Sequence, residues 1–149
     1  MPIPRAPLIL GLVVLIPFVW GAATILNANL MAWGAAELGP RFVGPYVQLF
    51  YGQVILSFMS GVLWGFATKA SGGQAATGYV LSVIPAIWAF VVTGGGPVSA
   101  GINLIFGFAG LLLLDFAFSQ WNLTPPWWMT LRSLQTAIAI ACLSVGVWA

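Results

Sequence analysis

Five long stretches of this chain are apolar and nearly free of charge, and they constrain its fold more than any other feature. A helix that crosses a bilayer needs about 20 mostly apolar residues. We therefore predict an all-α fold: a polytopic membrane protein whose five transmembrane helices form a bundle with short loops, in a single integral-membrane domain over residues 1–149. The predicted spans are approximately Pro7–Ala28, Tyr46–Thr68, Thr77–Val92, Ser99–Phe118 and Met129–Trp148.

A transmembrane β-barrel is excluded because barrel strands alternate apolar and polar residues over about 10 positions. The runs Leu8–Trp20 and Ile105–Leu114 are apolar without such alternation. The connections between spans are short, so little of the chain remains for a domain outside the membrane. Three of them contain helix-breaking residues: Ser71-Gly72-Gly73, Gly94-Gly95-Gly96-Pro97 and Pro125-Pro126.

Only six residues are charged, which is 4% of the chain, whereas a soluble domain typically has roughly 25%. Six charges cannot supply the surface of a water-soluble globule. We therefore exclude a soluble enzyme, a nucleic-acid-binding protein and a disordered chain. The charged residues are Arg5, Glu37, Arg41, Lys69, Asp115 and Arg132.

The N-terminal segment resembles a signal peptide, because Arg5 precedes an apolar run that ends in small residues at 21–23. We interpret it as an uncleaved first span. The longest connection runs from about Asn29 to Pro45. Within it, Leu30–Leu38 is interpreted either as a short helix in the plane of the membrane interface or as an ordinary capped loop.

The distribution of basic residues predicts the orientation. With five spans, Arg5, Lys69 and Arg132 lie on one side of the membrane and Arg41 on the other. Basic residues favour the cytoplasmic side. We therefore predict a cytoplasmic N-terminus and a C-terminus outside.

The second span carries a repeat of polar and small residues at intervals of four: Gln53, Ser57, Gly61 and Gly65. These positions share one helix face, and a GxxxG pair lets a neighbouring backbone approach closely. We predict a helix-packing seam within this bundle. The alternative is a seam against another protein chain or a lipid.

Asp115 is the one acidic residue inside a predicted span. Arg132 lies at a similar depth on the next, antiparallel span, and buried charges usually pair. We predict a structural ion pair between Asp115 and Arg132. The alternative is a proton-carrying carboxylate, for which a lone acid in a chain without histidine is a poor candidate.

The basic side of the protein also predicts contacts with membrane lipids. Anionic lipid headgroups would balance the excess of basic residues there, and amphipathic indoles prefer the interface. The candidate headgroup site comprises Arg5, Lys69, Arg132, Trp127 and Trp128. The eight tryptophans are interpreted as an aromatic belt, with a stacking site for a flat ligand such as a quinone or pigment as the alternative.

Candidate groups for catalysis or metal binding are nearly absent from the sequence. It contains no histidine, no paired carboxylates and no nucleophile or phosphate-loop motif. We therefore predict no catalytic residues, no metal site and no cofactor. Pro17 and Pro85 are expected to kink their spans, Asn103 to bridge two helices, and Cys142 to be inert packing.

Several motifs together resemble the small bacterial and mitochondrial membrane proteins related to transmembrane protein sixty-nine. One departure is Ser60-Gly61, where the family pattern has two glycines. The resemblance implies no substrate and no cofactor, because the function of the family is unknown. It implies a bacterial or mitochondrial inner membrane, and the lack of a transit-like N-terminus favours the bacterial one. The residues that carry it are Tyr51–Gly65, Tyr79, Ser82, Pro85, Trp88, Asp115, Pro126-Trp127, Leu131-Arg132 and Leu134.

Three functional hypotheses follow, in decreasing order of support. The first is a non-catalytic accessory, structural or assembly subunit of a larger respiratory or photosynthetic membrane complex. The second is a small transporter or a lipid- or quinone-binding membrane protein. An integral-membrane enzyme comes third. The expected partners are membrane lipids and other membrane-protein subunits, with no nucleic acid.

Overall fold

The computed structural model describes residues 2–149, and this part of the chain is all-α, with no strand. The predicted fold class is confirmed. The α-helices are α1 (Arg5–Val13), α2 (Ile16–Leu26), α3 (Ala28–Leu38), α4 (Gly44–Ala67), α5 (Gly72–Val92), α6 (Pro97–Gln120) and α7 (Trp128–Trp148), and a 3₁₀ turn covers Pro40–Phe42.

Five segments are long and apolar enough to cross a membrane: α1 and α2 together as Arg5–Leu26, and each of α4 to α7. Most boundaries lie within two residues of the predicted ones. The largest difference is at α5, which begins at Gly72 rather than Thr77. The first turn of α5 contains glycine and glutamine, so an apolar count does not detect it.

Glycine and proline define where several helices start. Gly39 and Gly96 have φ values of 102° and 100°, a region that residues with a Cβ rarely adopt. Pro45 and Pro97 lie in the first turns of α4 and α6. There the missing N–H costs nothing, because the first turn has no intrahelical acceptor.

The first span is broken between α1 and α2, three residues before Pro17. The N–H groups of Leu15 and Phe18 bond to carbonyls three residues back, at 3.1 and 3.0 Å, instead of four. Pro17 itself has no N–H to donate, so the α-helical ladder is interrupted there. The kink expected at Pro17 is therefore present. Pro85 does not interrupt α5.

The connection after the first span is helical. Asn27 caps α3, because its side-chain oxygen accepts a hydrogen bond from the Leu30 N–H at 3.1 Å. The helical interpretation of Leu30–Leu38 is thus correct, and the capped loop is wrong. Its location in the membrane interface stays a prediction.

The bundle is built around α4, which packs against α2, α5, α6 and α7. Leu56 and Leu63 on α4 are fully buried, and they join Leu104, Phe108 and Phe118 of α6 in one apolar core. The remaining surface of the spans exposes many large apolar side chains. That surface is suited to lipid rather than to water.

The packing seam predicted on the second span is wrong for this bundle. Gly61 and Gly65 face outward, and a Cβ added at either would meet no atom within 4 Å among the residues described. Ser57 is also exposed, and its hydroxyl bonds to the Gln53 carbonyl of its own helix at 2.9 Å. Only Gln53 contacts a neighbouring helix, by donating a hydrogen bond to Thr93.

The opposite face of α4 packs inside the bundle. A Cβ at Gly52 would lie 2.8 Å from Leu104, and one at Gly21 of α2 would lie 3.0 Å from the Gly44 carbonyl. This face carries Leu56, Met59 and Leu63, which bury more apolar area and make more dispersion contacts than a stripe of glycines. The larger side chains therefore determine which face is buried.

Side-chain amides and hydroxyls tie the helices together. Gln48 is fully buried and donates to the carbonyls of Phe18 and Cys142, at 3.1 and 2.9 Å. Asn103 bridges two helices as expected, because it donates to the Val92 carbonyl at 2.8 Å. The Ala86 N–H, next to Pro85, donates to Ser60 at 2.8 Å, so Ser60 joins α4 to α5.

Candidate functional site

Asp115 and Arg132 meet between α6 and α7. Arg132 Nε lies 2.9 Å from Asp115 Oδ2, and the two side chains are 5% and 0% exposed. The loop between the helices is short, so the end of α6 and the start of α7 lie at the same depth. The two residues predicted as an ion pair are thus in direct contact.

The ion pair belongs to a longer chain of hydrogen bonds. Trp128 Nε1 donates to Asp115 Oδ1 at 3.0 Å, so both carboxylate oxygens are occupied. Arg132 Nη1 donates to Gln135 Oε1 at 2.6 Å, and Gln135 Nε2 donates to the Gly11 carbonyl at 2.8 Å. The chain connects α6, α7 and α1 through groups removed from solvent, where each bond is strengthened by the low dielectric.

The break in the first span explains why the Gly11 carbonyl is available to Gln135. Gly11 O is not used by Leu15, which bonds to Leu12 instead. Val14 O is likewise released, and the hydroxyl of Tyr51 donates to it at 2.6 Å. An unpaired carbonyl in a bilayer costs several kcal/mol. Side chains from α7 and α4 therefore hold the broken helix in place.

A cleft of about 410 Å³ lies between the broken first span, α4 and α7. Its floor includes Phe18 and Phe108, which are almost fully buried, and its lining is mainly apolar. At the rim, Leu10 and Phe58 are 62% and 65% exposed, so the cleft opens onto the surface suited to lipid. Its volume is within the range of about 300–1,000 Å³ usual for small-molecule sites.

Polar residues of α7 line one side of this cleft: Arg132, Gln135 and Thr136. Two of their polar atoms, Arg132 Nη2 and Thr136 Oγ1, are buried without a hydrogen-bond partner among residues 2–149. Both residues are 4% exposed. A buried donor without an acceptor costs about 1–3 kcal/mol. The apolar cleft is thus lined by two residues that each have a polar atom closed to solvent and without a partner in the described part of the chain.

The cleft is chemically suited to holding an amphiphile. Arg132 is the only charged residue that lines it in the described part of the chain, and its charge is balanced by Asp115. Across residues 2–149, no three histidine, cysteine, aspartate or glutamate side chains come together as a metal site would require. The groups available are hydrogen-bond donors, aromatic rings and aliphatic side chains.

The predicted lipid-headgroup site is not a single surface. Arg132 is buried in the ion pair, and the half-buried Trp128 donates to Asp115, so both side chains bond within the protein. Both side chains donate to the buried Asp115 carboxylate. Arg5 and Lys69 are exposed, and Trp127 is half-buried at the edge of the cleft. Headgroup binding by Arg5 and Lys69 stays a prediction.

Sequence reasoning missed Gln135, Thr136 and Tyr51. A signal for the first two was present, because Arg132, Gln135 and Thr136 are spaced at i, i+3 and i+4 and so share one helix face. No local signal marks Tyr51, because its role depends on a carbonyl released 37 residues earlier in the chain. Its partner becomes known only when α4 is packed against the first span.

Comparison with known proteins adds the family. The family model described as "Protein of unknown function (DUF3429)" matches residues 3–148. The chain belongs to this family. It is also 30% identical over 144 residues to Transmembrane protein 69 of Xenopus tropicalis, a match that covers 94% of this chain and 53% of the relative. No solved structure matches the chain.

The family resemblance predicted from the sequence is therefore confirmed. This DUF3429 protein spans about half the length of the curated relative it matches. The relative's name describes a transmembrane protein, in agreement with the five spans of the fold. The protein is thus a multi-pass membrane protein, and the descriptions of its relatives assign no substrate or reaction.

Proposed function

We propose that this protein is a non-catalytic membrane protein that binds an amphiphilic membrane molecule in the cleft between the first span, α4 and α7. One observation carries the proposal: an apolar cleft that opens onto the lipid-facing surface is lined by Arg132 and Thr136, and each of these residues has a buried polar atom without a partner among residues 2–149. An amphiphile would cover the apolar walls and supply the missing acceptor. Such a role is that of a small lipid- or quinone-binding membrane protein.

The hydrogen bonds and burial of the Asp115 carboxylate support a ligand-binding role for the protein rather than proton transfer through this residue. Its two oxygens accept hydrogen bonds from Trp128 and Arg132, and its side chain is fully buried. A proton carrier would have to break the ion pair in each cycle and leave a buried guanidinium without its counter-ion. That step is costly. A fixed pair that positions Arg132 fits the geometry better.

Occupancy of the cleft can be tested with a variant that fills it. Val62 lines the cleft from α4, whereas Val54 lies on the same helix and is 60% exposed. Protein purified from its membrane in mild detergent is expected to carry an amphiphile detectable by native mass spectrometry. Val62→Trp should lose this molecule, and Val54→Trp should keep it. Equal occupancy in the two variants would contradict the proposal.

A second candidate function, an accessory subunit of a larger membrane complex, is favoured by the outer face of α4. Gly61 and Gly65 lie there, and a Cβ added at either would meet no atom of residues 2–149 within 4 Å; the exposed side chains of Phe58 and Trp64 flank them. A GxxxG pair on a lipid-facing surface lets another helix approach closely.

Gly61→Leu tests the accessory role. The side chain has room on this surface, so the monomer should fold normally. A partner chain that co-purifies stoichiometrically with the wild type should be lost from the variant. Gly73→Leu is a suitable control, since Gly73 is exposed at the start of α5 with open space around it. A wild type that purifies alone, without a partner chain, would exclude this role.

The proposed location is a bacterial inner membrane, with the N-terminus in the cytoplasm and the C-terminus in the periplasm. The excess of basic residues on one side supports this orientation: Arg5, Lys69 and Arg132 against Arg41. Arg5 and Lys69 are exposed and would lie among anionic headgroups there. Membrane lipids are thus the first partners to expect.

A further inference from the structure

The two unpartnered polar atoms of the cleft restrict the chemistry of its ligand. Arg132 and Thr136 are four residues apart on α7, so their side chains lie on the same face, one helical turn apart. A guanidinium N–H can only donate, and a hydroxyl can donate as well. Both atoms are closed to solvent in this structure, so the two side chains must turn toward the cleft to meet a ligand, and they would then need an oxygen acceptor from it.

The charge balance of the site indicates that this acceptor is uncharged. Arg132 is already neutralised by Asp115, and no other charged residue within 2–149 lines the cleft. A carboxylate or phosphate head would place a second anion beside Asp115 at low dielectric. Such like charges repel strongly when they are removed from water. A carbonyl oxygen satisfies the same donors without that cost.

The walls of the cleft indicate the shape of the head. Aromatic side chains surround it on several sides, from the floor at Phe18 and Phe108 to Phe66 and Trp127 near the end of the bundle. Aromatic walls favour a flat ring, which can stack or make edge contacts with them. A space of about 410 Å³ suits one ring with the start of a single tail.

We propose that the ligand is a prenylquinone-type molecule, held by one uncharged ring carbonyl that accepts hydrogen bonds from Arg132 Nη2 and Thr136 Oγ1. This inference rests on the proposed function and adds the chemical class of the ligand and the atoms that recognise it. The tail leaves the cleft between Leu10 and Phe58 into the bilayer.

Thr136→Val isolates the proposed hydrogen bond. Valine has nearly the same shape as threonine but lacks the hydroxyl. Because Thr136 Oγ1 has no partner in residues 2–149, the ligand-free variant should be at least as stable as the wild type. Its affinity for the quinone should nevertheless fall about fivefold, the loss expected for one neutral hydrogen bond. If Thr136 had only a structural role, its replacement would lower the stability and the affinity together. Lower affinity with unchanged or higher stability therefore indicates a direct hydrogen bond to the ligand.

The experiment titrates the detergent-purified full chain with decylubiquinone and reads the bound fraction by native mass spectrometry. Thermal unfolding without ligand is measured in parallel. Thr130→Val provides the matched control, because Thr130 is exposed on the same helix and does not line the cleft. It should change neither the affinity nor the melting temperature. Two further amphiphiles are titrated for comparison: dioctanoylglycerol, which has an uncharged ester head, and decanoate, which has an anionic carboxylate head.

The outcomes separate the two proposals. If no amphiphile binds saturably, or if Val62→Trp does not weaken binding, the proposed function and this inference both fail. If decylubiquinone binds in the cleft but Thr136→Val keeps the wild-type affinity or melts at a lower temperature, the proposed function stands. Only the hydrogen bond between the ring carbonyl and Thr136 is then refuted. Tighter binding of dioctanoylglycerol or decanoate than of decylubiquinone also overturns the quinone assignment and leaves the proposed function standing.

Discussion

At the scale of single residues, Arg132 links the buried carboxylate of α6 to the polar side chains of α7. It contacts Asp115 and Gln135, and its buried Nη2 has no partner in the part of the chain that the structure describes. The pair was predictable, because both charges lie near one end of consecutive antiparallel spans. Its hydrogen-bonding network was predictable only in part: Gln135 shares a helix face with Arg132, but nothing in the sequence indicates that Trp128 donates to Asp115 or that Gln135 reaches Gly11.

Removing the acid should strongly destabilise the protein. Asp115→Asn leaves the Arg132 guanidinium buried without a counter-ion, which typically costs about 3–5 kcal/mol. Chemical unfolding in detergent micelles should show this loss. Glu37→Gln is the control, because Glu37 is exposed and no ion pair involves it in the described part of the chain. An Asp115→Asn variant as stable as the wild type would contradict a structural role for the pair.

Exchanging the two charges should not restore stability. In Asp115→Arg with Arg132→Asp, the new guanidinium at position 115 would lie next to the Trp128 N–H. Both groups are hydrogen-bond donors, so the Trp128 N–H would lose its acceptor. Replacing both with apolar residues, as in Asp115→Leu with Arg132→Met, is expected to cost less than either single change. Unfolding free energies of the single and double variants test this expectation. A charge exchange as stable as the wild type would contradict it.

Tyr51→Phe should loosen the broken first span. The variant leaves the Val14 carbonyl unpaired next to the cleft, at a cost of about 1–3 kcal/mol. Hydrogen exchange of α1 should become faster while the core of α4 stays protected. Tyr46→Phe, at a half-exposed position on the same helix, should leave exchange unchanged. Unaltered exchange in Tyr51→Phe would show that this bond does not hold the break.

At the scale of the helices, the buried face of α4 could not be read from its small residues alone. Gly61 and Gly65 form a typical packing motif, yet they point outward. Their spacing establishes that they share a face, but not which partner that face meets. Large apolar residues lie on the other side of the helix, and burying them removes more area from lipid contact and gives denser packing.

A matched pair of glycine variants tests this arrangement. Gly21→Ala places a Cβ 2.6 Å from the Gln48 side chain and 3.0 Å from the Gly44 carbonyl, and a backbone atom cannot easily move away. We expect a loss of about 1–3 kcal/mol. Gly61→Ala meets nothing and should be neutral or slightly stabilising. Thermal unfolding of both variants provides the measurement, and equal losses would refute this orientation of α4.

At the scale of the whole molecule, an odd number of spans predicts that the two ends of this chain lie on opposite sides of the membrane. The basic residues then predict which side is cytoplasmic. A reporter that is active only in the cytoplasm should be silent at the C-terminus and active in the Lys69 loop. A strong C-terminal signal would reverse the orientation.

The class of protein and its five spans are determined by the sequence itself. Hydropathy is a local property, so each span can be recognised from about 20 consecutive residues of sequence. The Asp115–Arg132 contact also follows from the sequence, since a short loop fixes the relative depth of two consecutive spans.

The cleft depended on the tertiary structure. Gln135 and Gly11 lie 124 residues apart, and their hydrogen bond exists because a broken helix released a carbonyl beside α7. The outward direction of Gly61 and the unpartnered polar atoms of Arg132 and Thr136 likewise depend on which helices meet. In a bilayer the outer surface and the core are both apolar, so composition cannot tell the two apart. Only packing decides it.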